Sequence, residues 1–267
     1  MNIQRQSFSN FLGALLLGCF LLSPLKTFSA QPVYEGGWDS IQKISRDLYR
    51  ALNVTNRLGL LPVPILKQDS RNPSLQPYLY PDGSNSWQAI SISSGYIDLL
   101  NYVAAAKALE KVDRGSYERL MGALKSQMGE ISEIKPISSR WSLPALNEQA
   151  SYFNQMSGAM VALEMAHHYL GHYRNHESAL KNTGNKIVPF NSLLTPEEWE
   201  TAVLKAGRNA LDCGLSVEGL KALLDVFSKP GTRQDWAIQF VPPGADVLKV
   251  SQALTTMERD FFVMDNK

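Results

Sequence analysis

The stretch AHHYLGHY, residues 166–173, carries three of the chain's four histidines, and the fourth, His176, follows three positions after it. His168 and His172 stand four apart, which on a helix sets both imidazoles on one face about one turn apart, the spacing of two zinc ligands. Glu164, His168, His172 and His176 form one i, i+4, i+8, i+12 row. His167 lies about 100° round the helix from His168, a position from which it packs or hydrogen-bonds to a ligand rather than binding metal itself. Met156, Met160, Leu163 and Leu170 supply an apolar side, so one helix is expected from Ser151 to His176.

In the zincin motif H-E-x-x-H, two neutral imidazoles bind zinc and the glutamate beside the first is the base for the zinc-bound water. Here the string is His168-Tyr169-Leu170-Gly171-His172, with tyrosine at the glutamate position. A phenol with a reference pKa near ~10 is a poor acceptor of a proton from water at neutral pH. Glu164, one turn before His168, is the nearest substitute base, but a side chain there points past the zinc-bound water.

Outward from the histidines, helical periodicity recurs at Ile41, Ile44, Leu48 and Leu52, with Asp39 placed to cap the start, and over 96–111 and 115–129. PVPIL (62–66) is a short strand candidate. The Pro-, Asn- and Ser-rich stretch 69–86 reads as a long loop with a turn at Pro81-Asp82-Gly83. In QAISISSGYIDLL, Ala89, Ser91 and Ser93 alternate with Ile90 and Ile92, the pattern of a half-buried strand that runs into a helix at Gly95. On the C-terminal side, Thr195, Pro196 and Glu198 form a capping box that starts a helix ending near Gly214. Another helix begins at Ser216, and a final one carries Val247, Val250, Leu254, Met257 and Phe261. The fold class is α+β, mainly α-helical, with a small sheet.

The 267 residues, 44% hydrophobic, suffice for one compact domain. Lys+Arg 26 against Asp+Glu 25 gives a net charge of +1, so no bulk field draws the chain to nucleic acid or an anionic membrane. Residues 1–30 are a different material: Arg5 in a polar start, an apolar run from Phe11 to Leu22, then Ser23-Pro24 and small residues to Ala30. This is the pattern of a secretory signal cut near Ser29 or Ala30, leaving residues 31–267 as a periplasmic or secreted domain. Leu16-Leu17-Gly18-Cys19 also resembles a lipoprotein cleavage box, but the apolar residues that follow Cys19 favour simple export. After cleavage only Cys213 remains, so no internal disulfide is expected, and no later stretch has the ~18 to 20 apolar residues of a membrane span.

The order of these segments resembles the zincin metallopeptidases typified by the CAAX prenyl protease, the heat-shock protease X and the periplasmic barrel-assembly-enhancing protease. The matching stretches are ISISSGYIDLL (90–100), AHHYLGHY (166–173), ETAVLKAG (200–207), CGLSVEGLKALL (213–224) and VPPGADVL (241–248). The resemblance covers most of the chain after residue 30. It implies a zincin-like domain with an inserted helical pair between Gly95 and His168, and zinc held by His168, His172 and a glutamate of the next helix. Glu200 is that glutamate: it lies seven residues before Gly207, as the family ligand lies before its glycine, and shares a helical row with Val203, Leu204, Gly207 and Leu211. Glu197 and Glu198 are already accounted for by the helix start.

The departures concern hydrolysis. Tyr169 replaces the base, Leu204 the aspartate that supports a ligand histidine, and Val241 and Val247 stand where the family has His and Arg. Three readings follow. One is an exported zinc-binding protein that holds a polypeptide or an envelope partner without efficient cleavage. The second is a working metalloendopeptidase that uses another carboxylate, with Glu164 first in line. The third is a helical scaffold or binding protein without metal, whose histidines are solvated.

Overall fold

The computed structural model describes residues 34–82, 85–126, 142–181, 189–229 and 239–265. The expected signal segment, its cleavage site and Cys19 lie outside those residues. The chain is mainly helical with a small sheet, in the order α1 (Gly37–Ala51), α2 (Val54–Leu58), β1 (Ile65–Gln68), β2 (Leu75–Asp82), β3 (Asn85–Ser93), α3 (Ser94–Glu110) and α4 (Ser116–Ser126). Then come α5 (Leu143–Tyr169), α6 (His172–Lys181), a 3-10 turn (Phe190–Leu193), α7 (Pro196–Asp212), α8 (Glu218–Ser228) and α9 (Val247–Asp265). Among the described residues no helix is long and apolar enough to cross a membrane.

The sheet has the order β1-β3-β2, with β1 parallel and β2 antiparallel to β3. The stretch expected to be a long loop is therefore largely β2 and the start of β3, paired from Leu75↔Ile92 to Asp82↔Asn85 around the expected turn. Pro77 and Pro81 misled the sequence reading. They lack an N–H for the ladder, but β2 is an edge strand, where that loss is tolerated. Central β3 is not half-buried as its alternation suggested: Ala89 through Ser93 are all buried, because packed elements cover both faces. Where β3 turns into α3, Ser93 Oγ accepts from Tyr96 N at 3.1 Å and Gly95 N donates to Ser70 O at 2.8 Å. A Cβ at Gly95 would sit 1.9 Å from Arg71 O, so only glycine allows this approach.

At the centre runs α5, with Ser142 as N-cap and Pro144 in its first turn. Every residue from Met156 to His168 is buried, because α1, α3, α7, α8 and the sheet surround this helix. Leading into α7 is the expected capping box, with Glu198 N donating to Thr195 Oγ1 at 3.2 Å and Thr195 N to Glu198 Oε2 at 3.0 Å. Through Val250 and Leu254, α9 closes over α7 and α8. Asp39 lies in the first turn of α1 and is not its cap, which is Gly36.

The expected single histidine helix is two helices. Its first part, α5, stops at Tyr169, with Leu170 N on Ala166 O at 2.9 Å and Gly171 N on His168 O at 3.1 Å. Gly171 has φ +78°, the left-handed conformation that ends helices and that side-chain-bearing residues rarely adopt. The next helix, α6, starts afresh at His172, with Asn175 N donating to Gly171 O at 3.0 Å.

Candidate functional site

The break at Gly171 redistributes the histidines. His168 stays on α5 and points at the sheet, where its Nε2–H donates to the Ala89 carbonyl at 2.8 Å. Burial pushes its pKa down to about 4, only partly offset by that bond, so the ring is neutral. His172 meets His167 and not His168: their Nδ1 atoms lie 3.1 Å apart, one donating and the other accepting. His167, expected to pack or to hydrogen-bond to a ligand, does have a hydrogen-bonding partner here, and it is His172. His167 is fully buried, stands edge-on to Phe190 at 5.1 Å, and its Nε2 has no partner among the described residues. Burial, then the neighbouring His172 and His168, hold its pKa well below the usual value.

On α6, His172 and His176 are the pair four apart on one unbroken helix. His176 Nε2 lies 3.2 Å from Glu198 Oε2 and 3.3 Å from Oε1. Part burial raises the pKa of Glu198, but the Thr195 N–H and then His176 and His172 outweigh it and hold this carboxyl below its ordinary value. The Glu198 charge in turn opposes the lowering that burial causes at His172. Glu198 therefore does two jobs, closing the capping box and facing the histidines, and the first made the sequence reading pass over the second.

The two candidate bases are sealed. Glu164 is 0% exposed, both its carboxyl oxygens lack a partner among the described residues, and burial raises its pKa well above the carboxylate range. Burial disfavours its charged form, which makes this carboxyl a poor general base where it stands. The Tyr169 hydroxyl is also buried without a partner among the described residues, its pKa raised by burial, and the side chain lies against α2, where a Cβ on Gly59 would touch Tyr169 Cβ at 3.7 Å.

Glu200 is half-buried and pairs with Lys249 Nζ of α9 at 2.9 Å. Its helical row faces α9 and not the histidines. The trio His168, His172 and Glu200 does not fit a zinc ion as these side chains stand: one ring nitrogen is held by a sheet carbonyl, the carboxylate by a lysine, and the two rings belong to different helices. Among the described residues no three His, Cys, Asp or Glu side chains converge as a metal requires.

No family model, curated protein or solved structure matches the chain. Beside the histidine cluster lies a cleft of about 350 Å³ lined by Leu58 to Leu61, Gln88, Arg174 and Glu177. Gln88 braces its wall, accepting from Leu61 N at 3.1 Å and donating to Gly59 O at 3.2 Å.

Proposed function

We propose that this protein is an exported zinc-binding relative of the zincin metallopeptidases, with peptide hydrolysis lost or altered, that holds a polypeptide or an envelope partner. The observation that carries this reading is Tyr169. It occupies the base position of the zincin motif with a phenol whose buried hydroxyl has its pKa pushed further up, and the substitute in the row, Glu164, is fully buried with its charged form disfavoured. Neither of these two groups is suited to take a proton from a metal-bound water. Support for zinc is the gathering of His167, His172, His176 and Glu198 around Phe190 and the α6 start, with His168 turned to the sheet. Support for a polypeptide partner is the cleft beside α6, rimmed by Leu58 (84% exposed) and Leu61 (55% exposed) with charge on its far wall.

Incubation with casein or an unfolded peptide, with and without a chelator, tests the reading. The unaltered chain should leave both intact, and chelator-sensitive turnover would overturn it. A second reading, a scaffold without metal, is favoured by the engagement of His168 with Ala89 and of Glu200 with Lys249. Metal analysis of the purified chain decides between the two: stoichiometric zinc keeps the first, and its absence leaves the scaffold.

A further inference from the structure

Resting on the polypeptide part of the reading above and not on zinc, we infer that the outer edge of β1 takes an extended segment of a partner polypeptide as an added strand, with a carboxylate of that segment beside Lys67. The two edges of the sheet differ in what their backbones offer. Ile90 N donates to Pro64 O at 3.0 Å, and with Ile65 paired to Ile90 in parallel register this turns the N–H and C=O groups of Leu66 and Gln68 toward β3. Those of Ile65 and Lys67 face outward, where they have no partner among the described residues. The same alternation turns the backbone of Ile90 away from β2, so its partner there, Pro77, presents its nitrogen to the outer edge of β2, and Pro81 does so four residues on. Proline has no N–H, so the β2 edge has lost every second outward donor and resists strand addition. The β1 edge keeps both of its own.

Donors and acceptors at alternate residues of an open edge suit an extended backbone, and the side chains decide whose. Lys67 is exposed, its ammonium lies 5.0 Å from the centre of the Trp38 ring, and no carboxylate contacts it among the described residues. A second copy of β1 added there would bring another lysine alongside, and like charges across a strand pair are destabilising, whereas an opposed carboxylate stabilises it. The partner is therefore a different chain with an acidic residue in an extended run. Beyond the start of β1 the edge leads to the cleft already described: Gln88, on its wall, stands two residues before Ile90, and Leu58 and Leu61 are exposed there. An apolar residue at the end of the partner's segment has a seat against those leucines.

Amide hydrogen exchange of the full purified chain by NMR tests the assignment, with and without a capped peptide of alternating valine and threonine that carries one central glutamate and a leucine at its end. The Ile65 and Lys67 amides should exchange freely in the chain alone and slow by about tenfold or more at saturating peptide. Lys67→Pro removes an outward donor without touching the ladder to β3 and should weaken the peptide about tenfold, with circular dichroism to confirm its fold. Lys67→Glu should reverse the preference, favouring a peptide with lysine in place of the glutamate. Slow exchange at both amides in the chain alone, whether from another segment of the same chain or from a second copy seen by sedimentation, would overturn the inference. Equal peptide affinity in the unaltered chain and Lys67→Pro would do the same. Binding that protects the cleft but leaves the β1 edge exchanging freely would overturn the edge while sparing the polypeptide reading, and no binding of the peptide would overturn both.

Discussion

The two helices on either side of Gly171 carry one continuous row of residues in the sequence and live in two different media. On α5, Glu164, His167 and His168 are buried among Met, Val, Ala and Leu side chains, and burial drives each toward its neutral form. On α6, His176 is partly exposed and meets an ionised carboxylate across the gap to α7. The same residue types are sealed in the core on one side of the break, whereas on the other only His172 is buried and His176 and Glu198 are partly exposed. Periodicity reports which face a residue is on, but not what that face meets.

The largest effect expected from this contrast is on acid stability. His168 has a pKa of about 4 in the fold against an ordinary 6.5, so the unfolded chain binds its proton first as the pH falls. Its contribution is intact above pH 6.5 and is lost between 6.5 and 4, on the order of 3 kcal/mol from this ring. Urea unfolding at pH 7 and pH 4, on the unaltered chain and on His168→Gln, measures the loss. A His168 resonance titrating near pH 6.5 would erase the distinction between the two helices.

Next comes the break itself. Gly171→Ala has space for its Cβ but must hold φ +78°, a strain of about 1–2 kcal/mol for a residue with a side chain. A lowered Tm with an unchanged helical spectrum is the expected result. A raised Tm would mean that the two helices had fused into the one the sequence suggests.

Glu164→Gln sharpens the buried side. Because burial raises the folded pKa of Glu164, the unfolded chain ionises first as the pH climbs past the ordinary 4.5, and stability is lost with rising pH. The variant should gain stability relative to the unaltered chain at pH 8, and the gain should shrink as the pH falls toward 4.5. A constant difference across that range would place the carboxyl in water. The smallest effect belongs to Lys249→Ala, which breaks an ion pair at the surface and should leave Tm unchanged within error. A large drop would show that Glu200 needs its charge compensated in a buried setting.

Much of the frame was legible locally. The Thr195 capping box, the strand into Gly95 and the helical spans over α1, α3, α7 and α9 rest on short-range signals: side-chain caps, small turn residues and period. The edge hairpin was not, since Pro77 and Pro81 are tolerable in β2 because, among the described residues, no strand pairs on its outer side. Among the site residues, the sequence placed His167 as one that packs or hydrogen-bonds without naming its partner, His172, and the facing direction of Glu200 and the second role of Glu198 were hidden. A carboxylate that satisfies one local motif gives no sign in the sequence that its other side meets a histidine 22 positions away.

By itself the sequence determined that this chain is mainly helical with a small sheet, that its histidines gather in one place, and that the residue after His168 is a tyrosine and not an acid. Tertiary structure alone decided which histidine meets which group. A single glycine in the left-handed region rotates everything after it, and contacts between helices far apart in the chain depend on that rotation and not on spacing along one axis.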